Sequence, residues 1–304
     1  MAEVSYLDNN KLLGESYFLR NYIRVRQEVL NKSGDSIKYI EKNGERYGYE
    51  ISTNRPLTQL YGFPCYVVKF LFSKIETLHD TQQESILQEL CTMLHHDVSS
   101  KRGYYNFRVP AHIVDLIKTM NCNFVDTIYC GGTVEEIHVG ETCEPVIKDG
   151  LELFFADEAF IINNKALLMD MAFRSFSSYQ GQYHISSVTE SLAGDIYSNW
   201  IASWFDSFKP DTVLIAEYEG EVVGYCTIDE NDIAVDAVLS SVNEEKRRLG
   251  AYKAMIATLI QYAKSKNKLF ISSTQFDNYI VQGTWNSLGL RPFYSIYNFH
   301  YDNR

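Results

Sequence analysis

The stretch Ala234-Val-Asp-Ala-Val-Leu-Ser-Ser-Val-Asn-Glu-Glu-Lys-Arg-Arg-Leu-Gly-Ala-Tyr252, continued by Lys253-Ala-Met-Ile-Ala-Thr-Leu-Ile-Gln-Tyr-Ala263, decides the reading of this chain. The apolar run Ala234 to Val242 is a strand, and it feeds a basic turn that ends at Gly250. The helix that opens there carries Ala254, Ile256, Ala257, Leu259, Ile260 and Ala263 at helical spacing. A strand, a glycine turn and a helix start in this order form an anion site. Amides at a helix N-terminus have no intrahelical acceptor, and the helix dipole favours negative charge there. A phosphate-bearing ligand is the natural occupant, with Arg247, Arg248, Leu249, Gly250, Ala251, Tyr252 and Lys253 around it.

Working outward, residues 211–218 and 222–228 read as strands joined by the turn Glu219-Gly-Glu221. A further strand is expected over 269–274, then a short helix through Trp285 capped by Asp277 or Asn278, and a closing strand over 293–301. Before residue 150 the chain reads as a separate unit. It holds a strand after Tyr61-Gly-Phe-Pro64, an amphipathic helix over 80–101, a strand over 104–109, a helix over 111–120 and a strand ending at Cys130. The polar segment 138–150, with Pro145, is the linker candidate, which sets the domains at 1–145 and 150–304.

The spacing Arg247-x-x-Gly250-x-Tyr252, within this order of elements, resembles the Arg/Gln-x-x-Gly-x-Gly/Ala signature of the GNAT acyltransferases. The resemblance covers about residues 150 to 304 and implies an α/β fold of the α+β kind: a GNAT acyl-CoA N-acyltransferase fold around a mixed central sheet. The smaller N-terminal α/β domain has two readings, a degenerate half-copy of the second or an unrelated unit. The strand–helix–turn–strand of 104–130 echoes that of 270–299, but no Arg-x-x-Gly turn stands in the first domain, so CoA is not expected there. Tyr61-Gly-Phe-Pro64, Tyr183-His184 and the run Asp195 to Trp204 look like segments of two-domain nucleotide-sugar N-acyltransferases such as the TDP-fucosamine acetyltransferases.

What the resemblance implies is acetyl transfer from acetyl-CoA to an amine. The pyrophosphate would lie on the Arg247–Lys253 turn and the pantetheine arm against Val242 and Asn278. The amide of Ser241 or Val242 is the candidate oxyanion donor, and Asp236 or His184 the candidate base. Two residues depart from the family pattern. Tyr252 stands where a small residue is usual, so its side chain must point away from the pyrophosphate or the cofactor must sit slightly differently. Trp285 stands where many relatives have a tyrosine near the leaving sulfur; an indole N–H donates a hydrogen bond but supplies no proton. The thiolate then leaves unprotonated, or another tyrosine, such as Tyr252 or Tyr294, substitutes.

The composition bounds the partners. The chain has 304 residues, 45% of them hydrophobic, with 22 Tyr, 17 Phe and a net charge of −11, which disfavours general nucleic-acid binding. No apolar run is long enough to span a bilayer and no signal-like start is seen, so a cytoplasmic protein without a membrane contact is expected. Cys65, Cys91, Cys122, Cys130, Cys143 and Cys226 form no Cys-x-x-Cys pair, so free thiols are expected and no metal site.

Three acceptor readings stand together: a nucleotide-linked amino sugar, another small amine, amino acid or peptide N-terminus, or no acceptor in an acyl-CoA sensor. For the first, aromatic rings would stack on sugar or base, and Arg174, Arg108 and Lys209 are candidate phosphate partners. Exposed strand edges leave room for a homodimer.

Overall fold

The computed structural model describes residues 37–42, 44–72, 80–110, 123–132, 147–179, 181, 183–184, 190–232 and 234–304. The helix expected over 111–120 and the linker residues 138–146 lie outside them. The chain divides into two compact units, residues 1–127 with 295–304, and residues 128–294.

The second unit holds the deciding stretch. Its strands are β5 (Asn123–Gly132), which enters it at Ile128, β6 (Leu151–Phe155), β7 (Val213–Tyr218), β8 (Glu221–Glu230), β9 (Ala234–Val242) and β10 (Leu269–Gln275), in the order β5-β10-β9-β8-β7-β6. The β6–β9 strands are joined antiparallel, while β9 and β10 run parallel because the helix α5 (Ala251–Ser265) carries the chain back between them. The inner face of α5, from Ala251 to Ala263, packs on Leu214, Ala216, Cys226, Ile228, Val235 and Ala237. Trp285, Leu288 and Leu290 join the same core. Burial of this stripe holds α5 in place far more than its intrinsic propensity does.

The other face of the sheet is covered by α3 (Glu158–Ser177), which also packs on α4 (Ala193–Asp206). Asp157 caps α3 by accepting from the Phe160 amide at 2.7 Å. Lys165 of α3 also reaches Asp206 of α4 as an ion pair. The strand β6 and the helix α3 were not anticipated.

The first unit repeats this plan. Strands β1 (Ile37–Lys42), β2 (Glu45–Thr53) and β3 (Cys65–Phe72) are antiparallel neighbours, with the short helix α1 (Arg55–Tyr61) between the last two. Helix α2 (Asp80–Ser100) then leads to β4 (Tyr104–Pro110), parallel to β3. The closing strand, β11 (Arg291–Asp302), is antiparallel to β4 through Ile296–Asp302. One face of this sheet packs Tyr66, Val68, Phe70, Tyr105, Phe107 and Phe299 against Ile86, Leu90, Leu94 and Val98 of α2.

The run β7-β8-β9-α5-β10 of the second unit thus matches β1-β2-β3-α2-β4 of the first, strand, strand, strand, helix, strand, with β6, α3 and α4 preceding it in the second unit. Of the echo between 104–130 and 270–299, the helix and turn of 111–122 lie outside the described residues.

Candidate active site

Three local features of the second unit converge at the C-terminal ends of β9 and β10. The first is the parting of the two strands. Their register runs Ala234↔Leu269 to Ala237↔Ser272 and stops there, although β9 continues to Val242 and β10 to Gln275. Ser272 Oγ donates to the Ala237 carbonyl at 3.1 Å, at the apex of the gap. Opposite β8, Thr227 pairs with Leu239 and Ile228 with Ala237, which leaves Val238 as the extra residue of a β-bulge. A bulge bends its strand, and here it falls where β9 leaves β10.

The bulge also fixes which amides face the gap. Leu239 N–H donates to Thr227 Oγ1 at 3.1 Å and Asn243 N–H to the Val223 carbonyl at 2.9 Å, both towards β8. Amide direction alternates along a strand, so Ser241 N–H also faces β8, while those of Ser240 and Val242 face the gap. Of the two expected oxyanion donors, Val242 therefore has the right orientation and Ser241 does not. The Ser241 side chain is buried, sharing a 2.7 Å hydrogen bond with Ser175 Oγ and donating to the Met171 carbonyl at 3.1 Å. Ser240 was missed because strand phase past a bulge cannot be counted from the sequence.

The second feature is the turn. After Val242, Asn243 accepts from the Glu245 amide at 3.1 Å, and residues Glu244–Leu249 make a 3₁₀ turn. Gly250 follows at φ 75°, in the left-handed region, with nothing within 4 Å of where a Cβ would stand. Its carbonyl receives the first intrahelical bond of α5, from Ala254 at 3.0 Å, so the amides of Ala251, Tyr252 and Lys253 have no helical acceptor. Arg247, Arg248 and Lys253 are exposed around this open cradle, and Arg247 is paired with Glu244 at 2.7 Å. Leu249 and Ala251 pack into the core behind it. The donors and the space fit a pyrophosphate.

The two departures from pattern are resolved together. Tyr252 turns away from the cradle and accepts from Trp285 Nε1 at 2.9 Å. Trp285 is 1% exposed and belongs to the core beneath α5, not to a cofactor-facing surface. Its side chain therefore cannot make the cofactor contact expected of it. The side chain of Tyr294, the other substitute weighed for the missing tyrosine, lies outside the described residues.

The third feature is polar. Asn278 caps α6 (Tyr279–Ser287), accepting from the Val281 amide at 3.4 Å. Its Nδ2 donates to Thr274 Oγ1 at 3.0 Å and to the Tyr179 hydroxyl at 3.4 Å. Tyr179, just past α3, thus reaches the end of β10. Burial raises its pKa, against the opposing hydrogen bonds to Thr274 and Asn278. Its ring meets Phe176 edge-on, Phe176 stacks on Tyr197 at 4.0 Å between centroids, and Tyr197 meets Tyr183 and Trp200. Tyr183 is thus buried in an aromatic cluster.

Asp236 is half-buried on the face of β9 that also carries Ser241, since the bulge reverses the alternation between them. Removal from water, with the Asp229 carboxylate across the ladder as the lesser cause, pushes its pKa up to about 7. His184 shares a 3.0 Å hydrogen bond between Nε2 and the Ser177 carbonyl, which fixes the proton on Nε2; its Nδ1 is buried without a partner. Arg174 is exposed and paired with Asp170 at 2.8 Å, and Lys209 is exposed. Among the cysteines, Cys65, Cys91 and Cys226 are free thiols. Burial pushes them up to about 12, about 11 and about 12, values that suit packing and not nucleophilic work. No helix among the described residues is long and apolar enough to cross a membrane.

Comparison with known proteins bears on this arrangement. Residues 177–290 match the family described as Acetyltransferase (GNAT) family. No curated protein matches the sequence. Among solved structures, the chain is similar to a GCN5-related N-acetyltransferase from Sphaerobacter thermophilus, at 11% identity over 86% of this chain and 78% of that one, TM-score 0.56. It is similar to a GNAT-family acetyltransferase from Colwellia psychrerythraea, at 12% identity over 93% and 97%, TM-score 0.52. It is also similar to a tandem GNAT protein from the clavulanic acid biosynthesis pathway, at 10% identity over 93% and 88%, TM-score 0.51. At such identities the likeness is one of fold.

Proposed function

We propose, from the premise that residues 177–290 are a GNAT acetyltransferase domain, that the chain acetylates the primary amine of a small molecule from acetyl-CoA at the gap between β9 and β10. The observation that carries this reading is the conjunction of that gap with the open cradle at Gly250 and a carboxylate, Asp236, whose pKa is near neutrality.

Acetyl-CoA supplies an acetyl group activated as a thioester. The cradle amides of Ala251, Tyr252 and Lys253 and the cations Arg247, Arg248 and Lys253 hold its phosphates, as a helix N-terminus does. Val242 and Asn278 border the pantetheine arm. The gap-facing amide of Ser240 is the nearer to Asp236 and donates to the oxygen on which negative charge develops. Asp236 lies three ladder steps back from Ser240 once the bulge is allowed for, roughly 10 Å at about 3.3 Å per step, so it takes the amine proton through water. As the nitrogen–carbon bond forms and the carbon–sulfur bond breaks, the Tyr179 hydroxyl gives a proton to the departing sulfur. Tyr179 takes the place that Trp285 leaves vacant in the family's plan. His184 accepts from the acceptor molecule through Nδ1 and orients it, with Asp236 retained as the base.

The acceptor is a nucleotide-linked amino sugar. Support comes from the half-buried rings of Phe176, Tyr179 and Trp200, which suit stacking on a sugar face. A second reading, another small cationic amine, is favoured by the net charge of −11. Thiol release from acetyl-CoA, measured with nucleotide-linked amino sugars and with simple amines, tests both. Turnover with the sugar nucleotide, absent in Gly250→Trp, is expected. Turnover with simple amines alone would replace the first acceptor by the second. CoA binding without any turnover would count against catalysis.

A further inference from the structure

The sheet of the first unit has a face that the acetyl-transfer reading does not use. Cross-strand register sets four side chains in one row: Glu50 on β2 opposite Lys69 on β3, Lys69 opposite Arg108 on β4, and Arg108 opposite Asn298 on β11. Directly paired residues share a face, and their neighbours Phe107, Val109 and Phe299 belong to the opposite, apolar face against α2. Exposure falls across this polar row: Lys69 is exposed, Glu50 and Arg108 are half-buried, and Asn298 is 3% exposed, as is Asn106 two residues before Arg108 on β4.

Charge is unevenly distributed along this row. Glu50 stands beside Lys69, but no carboxylate stands opposite Arg108. Its strand neighbours in the row are a lysine and an amide. Like charges opposite one another on a sheet repel, and this pair occurs in a chain of net charge −11. Arg108 Nε is moreover buried without a hydrogen-bond partner. A donor on a guanidinium sealed from water without an acceptor lowers stability, so such a group is normally paired.

The place in the fold matters as much. The parallel pairing of β3 with β4 ends at Lys69↔Arg108, although β3 runs on to Phe72 and β4 to Pro110. Arg108 therefore occupies in the first unit the position that Ser272 occupies in the second, the last paired residue before two parallel strands part. Ligands of open α/β sheets bind outside such strand ends.

We propose that Arg108, with Asn298 and Lys69 beside it, binds the oxyanion group of a small metabolite, a phosphoryl or a carboxylate, in the first unit. The guanidinium fork receives two oxygens of one planar or tetrahedral group, which satisfies Nε and balances the charge that Glu50 does not reach. This inference does not depend on the acceptor reading.

The test is calorimetric titration of the full chain with inorganic phosphate in one arm and acetate in the other. It is done on the Gly250→Trp protein, so that phosphate cannot report the α5 cradle. Saturable binding of either anion, weakened about tenfold or more by Arg108→Gln, is expected, with Arg108→Lys in between. Phosphate alone would identify a phosphoryl group, acetate alone a carboxylate. Arg108→Lys keeps the charge and carries the comparison should Arg108→Gln fail to fold. Equal affinity in the parent and the variants, or no saturable binding of either anion, overturns the proposal. Because binding and not turnover is read, failure of acetyl transfer leaves the result intact.

Discussion

The indole N–H of Trp285 donates to the hydroxyl of Tyr252 at 2.9 Å, so the two residues that depart most from the GNAT pattern are each other's partner. Neither departure is independent. A tyrosine at the second position of α5 is tolerated because a buried tryptophan holds its hydroxyl, and that tryptophan is held in turn. Tyr252→Phe should leave the indole N–H unsatisfied in the core and cost about 1–3 kcal/mol of stability. Trp285→Phe in the same background should then cost less than it does alone, a coupling that a double-mutant cycle by chemical denaturation reads. Additive effects would mean the hydrogen bond contributes nothing.

In the proposed reaction, Asp236 would tie rate to pH. With its pKa raised to about 7, the basic form fills in as pH rises through neutrality, so kcat should climb and level off above that value. Asp236→Asn should remove this limb and lower kcat by about 10²- to 10⁴-fold. The same shift acts on stability with the opposite sense. The folded form holds its proton up to about 7 while the unfolded carboxyl releases it near 3.8, so stability declines as pH rises through that window. Asp236→Asn should therefore be more resistant to denaturant than the parent at pH 8. A variant of unchanged or lower stability there would contradict the burial argument.

Tyr179→Phe separates the proton donor from the binding surface. The ring and its contact with Phe176 persist, while the hydroxyl next to Asn278 is lost. A fall in kcat of about 10²-fold with little change in KM is expected for a proton donor. A rise in KM alone would make Tyr179 a wall of the acceptor site.

His300 makes the first unit acid-sensitive. It is buried between Tyr104 and Asn106, and removal from water lowers its pKa from 6.5 to about 3. Between those values the unfolded chain takes up a proton that the folded chain refuses, so stability falls as pH drops through the window. Denaturation midpoints at pH 7 and pH 4.5 should differ less in His300→Gln than in the parent, once the general acid effect common to both is subtracted.

Gly250 is needed for its backbone as well as its emptiness. At φ 75° an alanine would be strained by about 1–2 kcal/mol, though the space for its methyl is open. Gly250→Ala should therefore cost stability with CoA affinity retained, and Gly250→Trp should cost affinity. Equal loss of affinity in both, by titration with CoA, would mean that conformation and not space holds the phosphates.

How far the sequence reached depended on how local the determinant was. Strand β9 was legible to the residue because Ala234–Val242 is a mostly apolar, β-branched stretch bounded by the polar turn that opens at Asn243. Asn278 as a cap and Gly250 as a helix boundary were legible for the same reason: both follow from the residue's own chemistry. Helix α3 was not, because Asn163, Asn164 and Lys165 interrupt its apolar stripe and only packing against the sheet reveals its inner side. The gap-facing direction of the Ser240 amide depended on a bulge, and the reach of Tyr179 to Asn278 spans 99 positions of sequence. No short-range pattern encodes either.

The closing strand has a last consequence. Strand β11 follows the second unit's helix α6 yet pairs with β4, while β5 follows the first unit's sheet yet lies beside β10. The halves are therefore laced: each borrows its final rib from the length of chain that belongs to the other. A scission in the linker just before Leu151 would release no free-standing enzyme, only two pieces each missing an edge it needs and each exposing one it cannot use.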